Sequence, residues 1–175
     1  MNPLNPTEPM NPMNAINPVR SRLPLLYRHK GLWRGRYWFV DPDFRLIDSY
    51  AFEIECSFPD DEAGVHYRQT SHYRWDDGRT QAVVFEARLQ GDRLCWDNGR
   101  IAGRMWAVDD ETLYLRFRFH DRPAVHVTEM IQLSPCGQHR ARTWHWFRDQ
   151  RLFQRTLVKE ARVSYAEDRP CPNPC

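Results

Sequence analysis

Between Leu32 and Val163 short turn clusters interrupt the chain at intervals of about 8 to 12 residues, and this rhythm restricts its fold more than any other feature. Asp41-Pro42-Asp43, Asp76-Asp77-Gly78, Gln90-Gly91-Asp92, Asn98-Gly99, Asp109-Asp110, Pro135-Cys136-Gly137 and Arg148-Asp149-Gln150 each separate two runs rich in Trp, Tyr, Phe, Val, Ile and Thr. The spacing predicts about ten strands, over 32–40, 45–56, 64–75, 79–89, 93–97, 100–108, 112–120, 124–133, 138–147 and 151–163. Leu113, Leu115, Phe117 and Phe119 alternate with Tyr114, Arg116, Arg118 and His120, the period of a strand with one buried face. Strands joined in sequence by short turns form an antiparallel meander, and a long meander removes its edges by closing into an up-and-down β-barrel. The fold class is therefore all-β, a single barrel with an internal cavity.

The 175 residues suit one such domain. Residues 1–22 repeat Asn-Pro without a periodic apolar face and read as a disordered leader. The barrel domain is expected over 23–164, with Leu23–Tyr27 docking against one end, and 165–175 as a flexible tail. The 25 basic and 23 acidic residues leave a net charge of +2, so no nucleic-acid partner is expected. Nearly all the basic residues are arginines, and spread along every strand they cannot all serve one site. Five irregularly spaced cysteines give no disulfide framework, and no apolar run approaches the length of a membrane helix. A cytoplasmic protein with no membrane partner follows, and a homodimer stays open.

Hairpin loop length gives trial registers. A loop over 134–137 sets Glu129 opposite Arg142 and Val127 opposite Trp144, and on the other face His126 opposite His145. A loop over 148–150 sets Trp144 opposite Gln154 and Arg142 opposite Thr156. A turn over 41–44 pairs Phe39 with Leu46, Tyr37 with Asp48 and Trp33 with Phe52. A three-residue loop over 76–78 pairs Tyr73 with Gln81, Ser71 with Val83, Gln69 with Phe85 and Tyr67 with Ala87. The Glu129 row is taken as the inward face, because Trp144 and Trp146 supply apolar walls around a few polar groups.

The segments G-L-W-R-G-R-Y, D-P-D-F-R-L-I-D-S, Y-R-Q-T-S-H-Y-R-W-D-D-G-R and E-M-I-Q-L-S-P-C-G-Q-H-R-A-R-T-W-H-W-F resemble a bacterial and plant family of calycin-like domains without an assigned activity, distant kin of phycobiliprotein lyases. The resemblance covers roughly Leu32 to Val163. It implies a lipocalin-like barrel that holds a small, largely apolar molecule, and it carries over no catalytic residue. The opening G-x-W-x-G-x-Y is also similar to the Gly-x-Trp signature of lipocalins, which implies that Trp33 packs across the closed end.

The leading expectation is a binding protein for a small hydrophobic molecule. Trp33, Tyr37, Tyr50, Phe85, Phe117, Trp144 and Trp146 would line its cavity, and Glu129, Arg142, Gln69 and Gln154 would fix the ligand's polar end. The alternative is a cofactor-free cyclase, isomerase or hydro-lyase of a biosynthetic pathway, with Glu129, His145, Tyr67 or Tyr73 moving protons. A carboxylate beside a guanidinium is also an ordinary cross-strand ion pair, and Arg142 would oppose the raised pKa that a catalytic Glu129 needs. Haem or metal binding through His126 or His145 is a third reading, weakened because two imidazoles without a third ligand make a poor metal site. No G-x-S-x-G, phosphate loop or HExxH pattern occurs, and no cofactor is expected.

Overall fold

A computed structural model describes residues 16–60 and 64–163. Two short helices, α1 (Val19–Arg22) and α2 (Pro24–Tyr27), precede ten strands. These are β1 (Gly31–Val40), β2 (Leu46–Ser57), β3 (Tyr67–Arg74), β4 (Thr80–Gln90), β5 (Arg93–Asp97), β6 (Ile101–Ala107), β7 (Thr112–Phe119), β8 (Val125–Leu133), β9 (His139–Arg148) and β10 (Arg151–Arg162). Each strand pairs antiparallel with its sequence neighbours, and β1 pairs with β10, so the meander closes into a barrel without a free edge. The expected fold class and strand count hold, because closure satisfies every ladder and hides the aromatic face.

The G-x-W-x-G-x-Y run of β1 shows how the sequence serves closure. Trp33 and Tyr37 are buried, and Gly35, on the same face, has no room for a side chain. A Cβ there would sit 2.2 Å from the Lys159 carbonyl oxygen and 2.8 Å from Phe52. Gly103 of β6 is equally crowded, by the Arg116 carbonyl, Phe117 and Trp96, each at 2.6 Å. At both positions glycine admits the close approach of a neighbouring backbone.

One end of the barrel is capped by the segment before β1. Leu23, Leu25 and Leu26 are buried there, as expected of a docking segment. The docked region begins earlier, with buried Asn17 and Val19. Asn17 donates from Nδ2 to the carbonyls of Pro59 (2.7 Å) and His66 (3.0 Å), and its Oδ1 accepts from the Val19 amide. Of the expected leader, residues 1–15 lie outside the described residues, as does all of the expected tail. Arg28 and Arg162 fasten the cap by donating to loop and segment carbonyls, among them Asp110, Pro135 and Arg28. The other end is open, ringed by the turns after β1, β3, β5, β7 and β9.

The β3/β4 register is the expected one throughout. Three other trial registers slip by two residues. In β8/β9 the Ser134 amide bonds the His139 carbonyl, so the four-residue loop is 135–138 and Glu129 stands opposite Trp144, with Ile131 opposite Arg142. In β9/β10 the loop is two residues, Asp149 and Gln150, both at positive φ as a type I′ hairpin requires. That turn alone would put the wrong faces together, and a bulge at Phe153 restores parity, leaving Trp146 opposite Gln154 and Trp144 opposite Thr156. In β1/β2 a bulge beside Val40 places Tyr37 opposite Tyr50 and Trp33 opposite Ile54. A slip of two keeps every side chain on its face, so the inward set survives. The slip does separate His126 from His145: His126 faces Phe147, with rings stacked at 4.9 Å, and His145 faces Thr128. The expected histidine pair is not formed.

A ligand-sized cavity over a charged floor

Alternation turns Glu129 of β8 and Arg140, Arg142, Trp144 and Trp146 of β9 inward, and β10 sends Thr156, Val158 and Glu160 to the same side. Glu129 and Arg142, no longer directly opposite, meet on the diagonal: Arg142 Nε donates to Glu129 Oε1 at 2.5 Å. The pair does not stand alone. Arg140 Nη2 donates to Glu160 Oε2 at 2.5 Å, and Arg142 Nη1 lies 3.6 Å from Glu160 Oε1. Two arginines and two glutamates thus form a chain of alternating charge, all four side chains buried.

Burial raises the Glu129 carboxyl above its ordinary range, opposed by the Arg142 charge and by the nearby Trp144 indole. Burial disfavours the Arg142 charge too, yet Glu129 and the other acceptors more than compensate and hold it firmly protonated. Arg142 Nη1 also donates to the Tyr37 hydroxyl at 3.1 Å, and burial keeps that phenol protonated.

Towards the capped end, Trp33 donates from Nε1 to the His29 carbonyl, and the guanidinium groups of Arg140 and Arg162 each lie 4.4 Å from its ring centroid. Arg140 Nη1 lies 3.2 Å from His29 Nδ1 and 3.8 Å from Cys56 Sγ. From Cys56 a polar thread climbs the wall: its sulfur is 3.3 Å from the Tyr67 hydroxyl, Tyr67 donates to Gln69 Oε1, and Gln69 donates to Ser71. Above the floor lies a cavity of about 380 Å³, within the range of small-molecule sites. Its apolar wall includes Phe85, Met105, Leu113, Leu115, Phe117 and Phe119.

Of the expected site residues, Tyr50, Tyr67, Gln69, Tyr73, Phe85, Phe117, Glu129, Arg142, Trp144 and Trp146 line this cavity. Four do not. Trp33 is sealed into the capped end, in the position that the lipocalin likeness implied, and Tyr37 lies behind Arg142. Gln154 is only half-buried, near the start of β10, and does not reach the cavity lining. His145 sits on the face opposite Trp144 and Trp146, beside Thr128 and Arg155, away from the cavity. His126 shares that outer face, and among the described residues no cluster of three metal-ligating side chains occurs.

Sequence reasoning missed His29, Arg140, Glu160 and Trp96. For Arg140 and Glu160 a signal existed, since they continue the inward alternation of β9 and β10. His29 carried none, lying outside any periodic run.

No family model matches the chain, and no curated protein does. Solved structures do. An S-type phycobiliprotein lyase, CPES, from Guillardia theta superposes with a TM-score of 0.60 at 14% identity, over 82% of this chain and 93% of that one. Rv2717c from M. tuberculosis gives 0.59 at 15% identity, over 82% and 98%. A protein of unknown function from Nostoc punctiforme, of the DUF3598 family, gives 0.59 at 18% identity over 79% of this chain; the match spans about half of that protein's length. These likenesses establish a shared fold. The chain is a lipocalin-like ten-strand barrel of the architecture found in phycobiliprotein lyases and in uncharacterised proteins, as its sequence resemblance implied.

The floor makes two measurable demands. Glu160→Gln leaves two buried arginines with one carboxylate, and is expected to lower the unfolding free energy by about 3–5 kcal/mol in denaturant titration. Glu53→Gln, which breaks a surface pair with Arg34, should cost less than about 1 kcal/mol. His29 is the pH-sensitive element: burial, then the Arg140 charge, holds its pKa well below 6.5. The unfolded chain therefore takes up that proton first, so the stability from neutral His29 is complete above pH 6.5 and is lost as pH falls towards the folded value. The unfolding free energy from denaturant titration should drop more steeply between pH 6.5 and 5 in the wild-type chain than in His29→Gln, by up to about 1.4 kcal/mol per pH unit.

Proposed function

We propose that this barrel binds a small, largely hydrophobic molecule inside its cavity. The observation that carries the reading is the combination of an aromatic and aliphatic wall around about 380 Å³ with a buried polar floor at one end and an opening at the other. A core built only for stability fills such space, because unfilled volume costs packing energy. The apolar wall desolvates the ligand, and Glu129, Arg142, Gln69 and the tyrosines hold its polar part. The fold likeness to a phycobiliprotein lyase supports a small-molecule ligand. The thiols of Cys56 and Cys95 suit a reducing cytoplasm.

An enzyme on the same barrel is a second reading, favoured by the raised pKa of Glu129, a carboxyl that lines the cavity. Because Glu129 accepts a hydrogen bond from Arg142, it suits orientation of a ligand better than proton abstraction. Tyr67 and Tyr73 would be its remaining proton carriers, and His145 takes no part from the outer face.

The neutral fluorophore N-phenyl-1-naphthylamine tests the binding reading. It should bind with a blue-shifted, saturable rise in emission. Ile101→Trp, at the open-end start of β6, should weaken that binding by at least about tenfold while strand content by circular dichroism is kept. An unchanged emission spectrum in the wild-type chain would remove the reading.

A further inference from the structure

The outer wall of the barrel is electrostatically divided. On β1–β4 three outward arginines are matched by carboxylates, Arg34 by Glu53, Arg36 by Asp76 and Arg68 by Glu86. On β6–β10 the only carboxylates, Glu129 and Glu160, point inward, while Arg104, Arg116, Arg118, Arg155 and Lys159 lie on the outward face. None of these five forms an ion pair among the described residues. The net charge of +2 averages over this division, so the expectation of no nucleic-acid partner drawn from it does not extend to this wall.

Strand register gathers these charges into a row. Arg104, Arg116, Thr128, His145 and Arg155 stand opposite one another in turn, from β6 across to β10. At about 4.8 Å per strand spacing the row is about 19 Å long. Arg104 faces Arg116 directly, and like charges so placed cost stability. Two histidines feel the field: burial first, then the charge of Arg116 on His126 and of Arg155 on His145, lowers their pKa. One step towards the capped end runs a second row, Trp106, Tyr114, Met130, Thr143, Leu157 and Trp38. Its Met130 is exposed and its aromatic rings are half-buried, with those of Trp106 and Tyr114 5.0 Å apart.

We infer that the outer wall of β6–β10 binds single-stranded nucleic acid, with phosphates on the arginine row and bases on the aromatic and aliphatic row. Such a strand carries a negative charge at every nucleotide and a flat apolar base beside it, the combination that the two adjacent rows complement. Stability alone does not account for the wall, since carboxylates opposite its arginines, as on β1–β4, would remove the repulsion. As the outside of a barrel the wall is convex. A flexible strand follows that curve, whereas a flat bilayer meets only a line of it. The wall lies outside the cavity, so this inference does not depend on what the cavity holds.

Fluorescence polarisation with a fluorescein-labelled oligothymidylate of about 20 nucleotides tests this. At about −0.7 per phosphate contact, three to five contacts predict that the logarithm of the association constant falls with the logarithm of salt at a slope of about −2 to −3.5. Arg116→Gln/Arg155→Gln should weaken binding and flatten that slope by about 1.4. Arg34→Gln/Arg68→Gln, which removes the same charge from the opposite wall, should leave the slope unchanged. Trp106→Ala should weaken binding at least about fivefold at an unchanged slope, as loss of stacking does. Strand content by circular dichroism should be kept in all three variants, whose changes point outward. No rise in polarisation at about 50 mM salt, or equal losses in the two double variants, would overturn the inference. So would binding to phosphatidylglycerol vesicles without binding to the oligonucleotide, which would make the wall a membrane-facing one.

Discussion

The alternating chain Glu129–Arg142–Glu160–Arg140 is the constraint around which the barrel interior is arranged. Moving four charges out of water is expensive, and their mutual attraction repays it only if each keeps its partner. Strand pairing supplies that condition. β9 lies between β8 and β10, so its two arginines reach one glutamate on each side, and a fourth strand, β1, adds the Tyr37 hydroxyl. The pair expected either to brace the sheet or to hold a ligand ties strands together, and Glu129 and Arg142 form part of the cavity surface.

The same floor divides the interior in two. On its capped side Trp33, Arg162 and the segment before β1 close the barrel with hydrogen bonds to loop carbonyls. On its open side the wall becomes aromatic and aliphatic, with the polar thread from Cys56 to Ser71 along β2 and β3. His29 belongs to both sides. Its Nδ1 accepts from Arg140, the residue is among those that line the cavity, and burial keeps it neutral.

The period of two and the turn chemistry made the ten strands legible, since each turn cluster stands at a strand end. Registers were less legible, because loop length by itself does not reveal the bulges at Phe153 and beside Val40. The inward face was found despite them, as each error was an even number of residues. The cavity lining was legible where it lies on regular strands, as for Gln69, Phe85, Glu129 and Trp144. It was illegible where tertiary closure decides: nothing local shows that Tyr37 lies behind Arg142 or that His29 folds under Arg140.

Native mass spectrometry is the most direct measurement on the claim that this interior is a binding site. After incubation with a total small-molecule extract, the 21.0 kDa chain should carry one discrete added mass at a one-to-one ratio, released on denaturation. A spectrum showing only the bare chain at every extract concentration would contradict the account and make the charged chain a brace around unused space.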